Sequence, residues 1–180
     1  RSAFAMIIAK ANLNKNRRIA FENKGFLCGQ KLGIIPSFRF GLFSMAYNGC
    51  GVIAAYNALL YLNKPKPLCE VIYFMERHKV FFGVFGWNPY ALMKIRDFSE
   101  THSRRVKNYN ELEGADAFII TSWNGKPFLS GSHTVFCTKD VNGAITVYNN
   151  YSRDSMPRKY KSFKEMIGDE VIISAYIITE

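Results

Sequence analysis

The spacing of apolar positions changes partway along the chain. Up to about residue 100 the apolar stretches have helical length; beyond residue 115 they are short, β-branched and aromatic. The first 25 residues read as a short helix followed by a polar, basic connection. Residues 26–43 carry Gly29, Gly33, Pro36 and Gly41 and read as loop. "VIAAYNALLYLN" predicts a buried helix over about 52–63, ended by "KPKP", because proline cannot continue a helix. "LCEVIYFMERHK" predicts a second helix. In "GWNPYALMKIRDFSE", Asn88 can cap, Pro89 suits the first helical position, and Tyr90, Met93, Ile95 and Phe98 follow periodically. "AFIITSW", "HTVFCT", "AITVYN" and "EVIISAYIIT" then predict strands. Helices first and strands second predict an α+β fold, with N-terminal helices packed on a C-terminal antiparallel sheet.

A chain of 180 residues suits a single domain with a sizeable core. We divide it into an N-terminal extension, 1–35, and a core, 36–180. The formal charge is +10. The basic clusters at Lys15–Arg18, Ser103–Arg105 and Arg158–Lys161 are short and lack interleaved aromatics, which argues against a nucleic-acid binder. No apolar run reaches the roughly 18 residues of a membrane span. Residues 3–9, "AFAMIIA", read either as an ordinary first helix, which favours the cytoplasm, or as the tail of a removed signal, which implies secretion. Cys28, Cys50, Cys69 and Cys137 form no C-x-x-C pair, so we expect free thiols and no metal site.

Cys50 stands apart, because it lies between Gly49 and Gly51 at the mouth of the buried helix. A helix N-terminus favours negative charge, and the thiolate is the nucleophilic form of cysteine. A cysteine wanted for packing alone sits more naturally inside the apolar run. A thiol also needs a base. His78 and His102 lie in charged or polar surroundings and read as solvated, whereas His133 opens an apolar strand after the turn "LSGS". The next hairpin turns at "DVNGA", in one of two ways. A two-residue Asn142-Gly143 loop sets His133 opposite Ser152, with Asn150 as its diagonal neighbour. A three-residue loop closed by Gly143 sets it opposite Tyr151, with Asn149 diagonal. Either register offers an amide to orient the imidazole.

The order of Cys at a helix start, His opening a strand and Asn on the next strand resembles the papain-like cysteine proteases. "NGCGVIAAYNALLYL" and "GWNPYALMKI" are similar to the bacterial branch of bacteriocin-leader (double-glycine) peptidases. The resemblance covers roughly residues 36–160. It implies a papain-like fold, a Cys50-His133-Asn149 triad, a peptide or protein substrate and no cofactor. The sixteen-residue step from His133 to Asn149 is the family's usual one and selects Asn149 over Asn150. One position departs from the pattern. The oxyanion-donating Gln six residues before the cysteine is Ser44 here, which leaves Ser44 and Asn48 as candidate donors. Nothing local draws Gln30 in from its upstream loop. Gly49, Gly51 and Trp87 are candidates for lining a substrate groove, although tryptophan is more often core. The expected activity is hydrolysis of an amide or ester through a thioester. The alternative is a catalytically lapsed domain of this type that binds a peptide or protein. An acyltransferase ranks lower, since those more often carry Asp as the third member.

Overall fold

The computed structural model describes residues 3–22 and 25–180; Arg1, Ser2, Asn23 and Lys24 of the opening segment lie outside the described residues. The elements run α1 (Ala3–Asn16), a small hairpin of β1 (Arg39–Phe40) and β2 (Phe43–Ser44), a single turn α2 (Met45–Asn48), α3 (Cys50–Tyr61), α4 (Leu68–Glu76) and a short α5 (Arg96–Ser99). Then come β3 (Arg104–Val106), β4 (Ala117–Trp123), β5 (Ser132–Lys139), β6 (Ile145–Tyr148), β7 (Arg158–Tyr160), α6 (Phe163–Ile167) and β8 (Ile172–Ile177). Six strands form one antiparallel sheet in the order β3-β8-β4-β5-β6-β7. The fold is therefore α+β.

Helix α3 is apolar on every side because it is enclosed on every side. All residues from Gly51 to Leu59 are buried. It packs against the sheet face formed by Ala117, Ile119, Phe136 and Tyr176, with α4 beside it. The opposite sheet face carries Phe118, Ile120, Cys137, Val147 and Ala175 and is covered by Leu112, Phe163 and Met166. Among the described residues no helix is long and apolar enough to cross a membrane.

The one polar side chain inside α3 ties down the upstream loop. Asn57 is fully buried. Its Nδ2 donates to the Leu27 carbonyl at 2.9 Å, and its Oδ1 accepts from the Leu27 N–H at 2.7 Å. Helix α1 is fastened similarly. Asn12 donates to the Gly41 carbonyl and to buried Glu76, whose Oε1 also accepts from the Gly41 N–H. The segment before residue 36 is thus bonded into the core through Asn12 and Leu27.

Three features differ from the sequence expectation. Helix α3 begins at Cys50 itself, not Val52, with Gly49 as its N-cap. No continuous helix follows Pro89. Leu92–Lys94 form one 3₁₀ turn, Ile95 is extended, and α5 is a single turn. The buried residues there are Ala91, Leu92, Ile95 and Phe98, carried by two separate turns with an extended residue between them. Strands β3 and β7 were not evident in the sequence. They are the two edges of the sheet and carry Arg104, Arg105, Arg158 and Lys159. Charged edge strands resist pairing with a second chain, so two of the three basic clusters protect sheet edges.

The β5–β6 turn uses the three-residue loop. Asp140 pairs with Ala144 at 2.9 Å, Gly143 has φ +82°, and Phe136 faces Tyr148. The ladder stops there because Asn149 turns into the left-handed region at φ 60°.

Replacing Asn57 by Leu keeps the volume and removes both bonds to Leu27. The expected loss is about 2 kcal/mol, since each stranded main-chain group costs about 1–3 kcal/mol less what water restores. Urea unfolding measures it, and an unchanged midpoint contradicts this role.

Candidate active site

Cys50 is the first residue of α3 and is partly exposed. His133 is the second residue of β5, opposite Ser122 on β4. The structure sets the two side chains close enough for the imidazole to act on the thiol, with the main-chain N–H and hydroxyl of Thr134 beside the same sulfur. Burial pushes the Cys50 thiol up, but the bond and charge of His133, with the Thr134 donors, outweigh it and hold the thiol below its ordinary value. Burial pulls the His133 imidazole down. The bond and charge of Cys50, the Asn149 carbonyl and the Glu170 carboxylate outweigh that and raise it. The two shifts run in the directions that favour a thiolate–imidazolium pair. Burial raises the other three thiols, Cys28, Cys69 and Cys137.

The ring is oriented by main chain. His133 Nε2 lies 2.6 Å from the Asn149 carbonyl oxygen. A carbonyl only accepts, so Nε2 carries a proton and Nδ1 is left to serve the thiol. The expectation that the Asn149 side chain would accept from the ring is corrected here. At φ 60° the Asn149 carbonyl faces the imidazole, and its side chain turns to Gln30 instead. Asn149 Oδ1 accepts from the Gln30 N–H at 3.0 Å, and Nδ2 donates to Gln30 Oε1 at 3.2 Å. Gln30 Nε2 donates to the Ala46 carbonyl at 3.1 Å, four residues before Cys50. Gln30 therefore joins the segment carrying Cys50 to the turn that holds His133. Asn150 plays no part in this clasp; its Nδ2 donates to the Tyr160 hydroxyl at 3.0 Å.

The other expected site residues have different duties. Ser44 is the N-cap of α2. Its hydroxyl accepts from the Ala46 N–H and donates to the Pro36 carbonyl at 2.7 Å, so it is not an oxyanion donor. Asn48 Nδ2 donates to the Gly83 and Phe40 carbonyls, fastening the neighbouring loop, and has no N–H left for a substrate. Trp87 does not line a groove: it is 4 % exposed and donates to the Thr134 hydroxyl. Gly49 and Gly51 serve packing. A Cβ on Gly51 would lie 2.2 Å from the Trp87 indole, and one on Gly49 would lie 2.5 Å from the Met45 carbonyl oxygen.

The side of His133 away from α3 opens into a cavity of about 530 Å³. Ser122, Val135, Asn150, Tyr160, Met166 and Glu170 contribute to its walls, and Ser122 donates to Glu170. Among the described residues no cluster of three His, Cys, Asp or Glu is placed to hold a metal ion. Compared with known protein families, curated proteins and solved structures, the chain matches none.

Thr134 was not singled out in the sequence. Its signal was its place one residue after His133, on the strand face turned toward the helix. Gln30 was visible as a residue type, but its partners are 16 and 119 positions away.

The left-handed turn makes a specific prediction. Asn149→Gly loses the Gln30 clasp but keeps the backbone geometry, whereas Asn149→Ala loses the clasp and adds about 1 kcal/mol of backbone strain. Urea unfolding should rank wild type above Gly above Ala. Ala equal to or above Gly contradicts the geometry.

Proposed function

We propose that this chain is a papain-like cysteine peptidase or related amidohydrolase. The placing of Cys50 at the N-terminus of α3 beside His133, with the thiol lowered and the imidazole raised, carries this reading. The Cys50 thiolate attacks an amide or ester carbonyl of a peptide or protein substrate. The electron pair of the C=O bond moves to oxygen, and the oxyanion meets the free N–H groups of the first turn of α3. For the donor that Ser44 does not supply, the proposal takes Gln30, whose Nε2 is bonded to the Ala46 carbonyl in the segment leading into Cys50. The His133 imidazolium protonates the departing amine, leaving a thioester on Cys50. Water, deprotonated by the same ring, hydrolyses the thioester, and the sulfur leaves as thiolate. Asn149 acts through its carbonyl, holding the ring with Nδ1 toward sulfur.

A second reading is a lapsed domain that binds a peptide without cutting it. It is favoured by Ser44 and Asn48, both committed to structural bonds. Removing one oxyanion donor costs a factor of about 10²–10³ in rate.

Alkylation of Cys50 by iodoacetamide across pH separates these readings from an ordinary thiol. The Cys50 peptide should label with a midpoint below the ordinary thiol value of 9.0. In His133→Ala, the imidazolium no longer opposes burial, so the midpoint should rise from that of wild type. Hydrolysis of a peptide library that is lost in Cys50→Ala establishes the peptidase. A low midpoint without hydrolysis establishes the lapsed reading, and an ordinary midpoint contradicts both.

A further inference from the structure

Directly after His133 on β5 stands Thr134, which is buried. Trp87 Nε1 donates to its Oγ1 at 3.1 Å, and the Thr121 hydroxyl on β4 lies 3.0 Å away. Trp87 packs in turn on Gly51, next to Cys50, which places this hydroxyl beside the thiol that it helps to hold low. Gly51 explains how the indole comes so close: any side chain there would overlap the Trp87 ring. The indole, the two threonines and the nucleophile are therefore one packed unit.

A hydroxyl has one proton and two lone pairs. An indole N–H can only donate, so Trp87 occupies the first lone pair of Thr134. The single Thr134 proton then has two neighbouring acceptors, the Thr121 oxygen and the Cys50 sulfur. When sulfur is an anion it is the stronger acceptor, since bonds to a charged partner are about twice as strong as neutral ones. Thr121 must then donate into the second lone pair, and all four positions around the Thr134 oxygen are filled.

We propose that Thr134 is a further catalytic residue of the Cys50 site, a hydroxyl donor to the thiolate whose direction is set by Trp87 and Thr121. This rests on Cys50 being the nucleophile, as proposed above. The donor stabilises sulfur whenever it carries the electron pair. That is so in the resting enzyme, and again when the C–S bond of the tetrahedral adduct breaks during deacylation and the pair returns to sulfur. In the thioester, sulfur is neutral and accepts poorly. Of the charged groups around the thiol, His133 bonds it directly and Glu170 acts on His133; both are unchanged in the variants below.

The test is the alkylation midpoint of the Cys50 peptide, measured with iodoacetamide across pH in the full chain. Thr134→Val is close in shape and lacks the hydroxyl, so the midpoint should rise by about one to two pH units. Thr134→Ser keeps the donor and should stay within about half a unit of wild type. Thr121→Val gives the sign of the network. If Thr121 feeds Thr134, its loss weakens the donor and raises the midpoint by about half a unit. If Thr134 instead spends its proton on Thr121, the loss frees that proton for sulfur and the midpoint falls, which overturns the proposal. A wild-type midpoint in Thr134→Val, with wild type itself low, overturns this inference and leaves the Cys50–His133 pair standing. An ordinary midpoint in wild type overturns both. Should Thr134→Val fail to fold, the direction of the Thr121→Val shift decides.

Discussion

The burial of α3 is the constraint on which the rest depends. A helix enclosed from Gly51 to Leu59 cannot slide or rotate without opening the core, so its first residue is fixed in space. The chain uses this rigidity twice. At the N-terminus it places Cys50 against β5, where His133 and Thr134 meet the sulfur. In the middle, Asn57 grips Leu27, and the segment that follows delivers Gln30 to Asn149. Asn149 in turn holds His133. The route from helix to loop to turn to imidazole thus closes back on Cys50 at the start of the same helix.

Electrostatics at the site is a contest that burial would win unaided. Each of the other thiols is raised, chiefly by desolvation. Cys50 goes the other way because two residues converge on it: His133, by bond and charge, and Thr134, by its main-chain and hydroxyl donors. His133 is held in return by sulfur and by a carbonyl that accepts its Nε2 proton. A main-chain carbonyl suits this duty, because it cannot rotate away while Asn149 is clasped by Gln30 on its other side.

Much of this was legible in the sequence, for physical reasons. The Gly-Cys-Gly turn before an unbroken apolar run marks a helix mouth. A histidine opening a strand is likewise a local pattern, and Asn-Gly limits a hairpin to two registers, of which the structure adopts the three-residue one. The missed features are those decided by distant partners. Ser44 and Asn48 look like free donors until the carbonyls of Pro36 and Gly83 arrive to take them. Asn149 looks like a side-chain partner until its positive φ turns the carbonyl inward. The Asn88–Pro89 start signal is genuine, as the Tyr90 N–H does bond to Asn88 Oδ1 at 2.9 Å. The chain nevertheless breaks beyond it into one 3₁₀ turn, an extended Ile95 and the single turn α5.

The central claim is that Cys50 and His133 share one ionic bond in the resting protein. Nitrogen-15 NMR of the His133 ring reads it without any substrate. In wild type the ring should remain doubly protonated above the ordinary imidazole value of 6.5, because the sulfur holds its charge. In Cys50→Ala the partner is gone and desolvation prevails, so the ring should lose that proton at a lower pH than in wild type. The same His133 titration in both proteins would contradict the account.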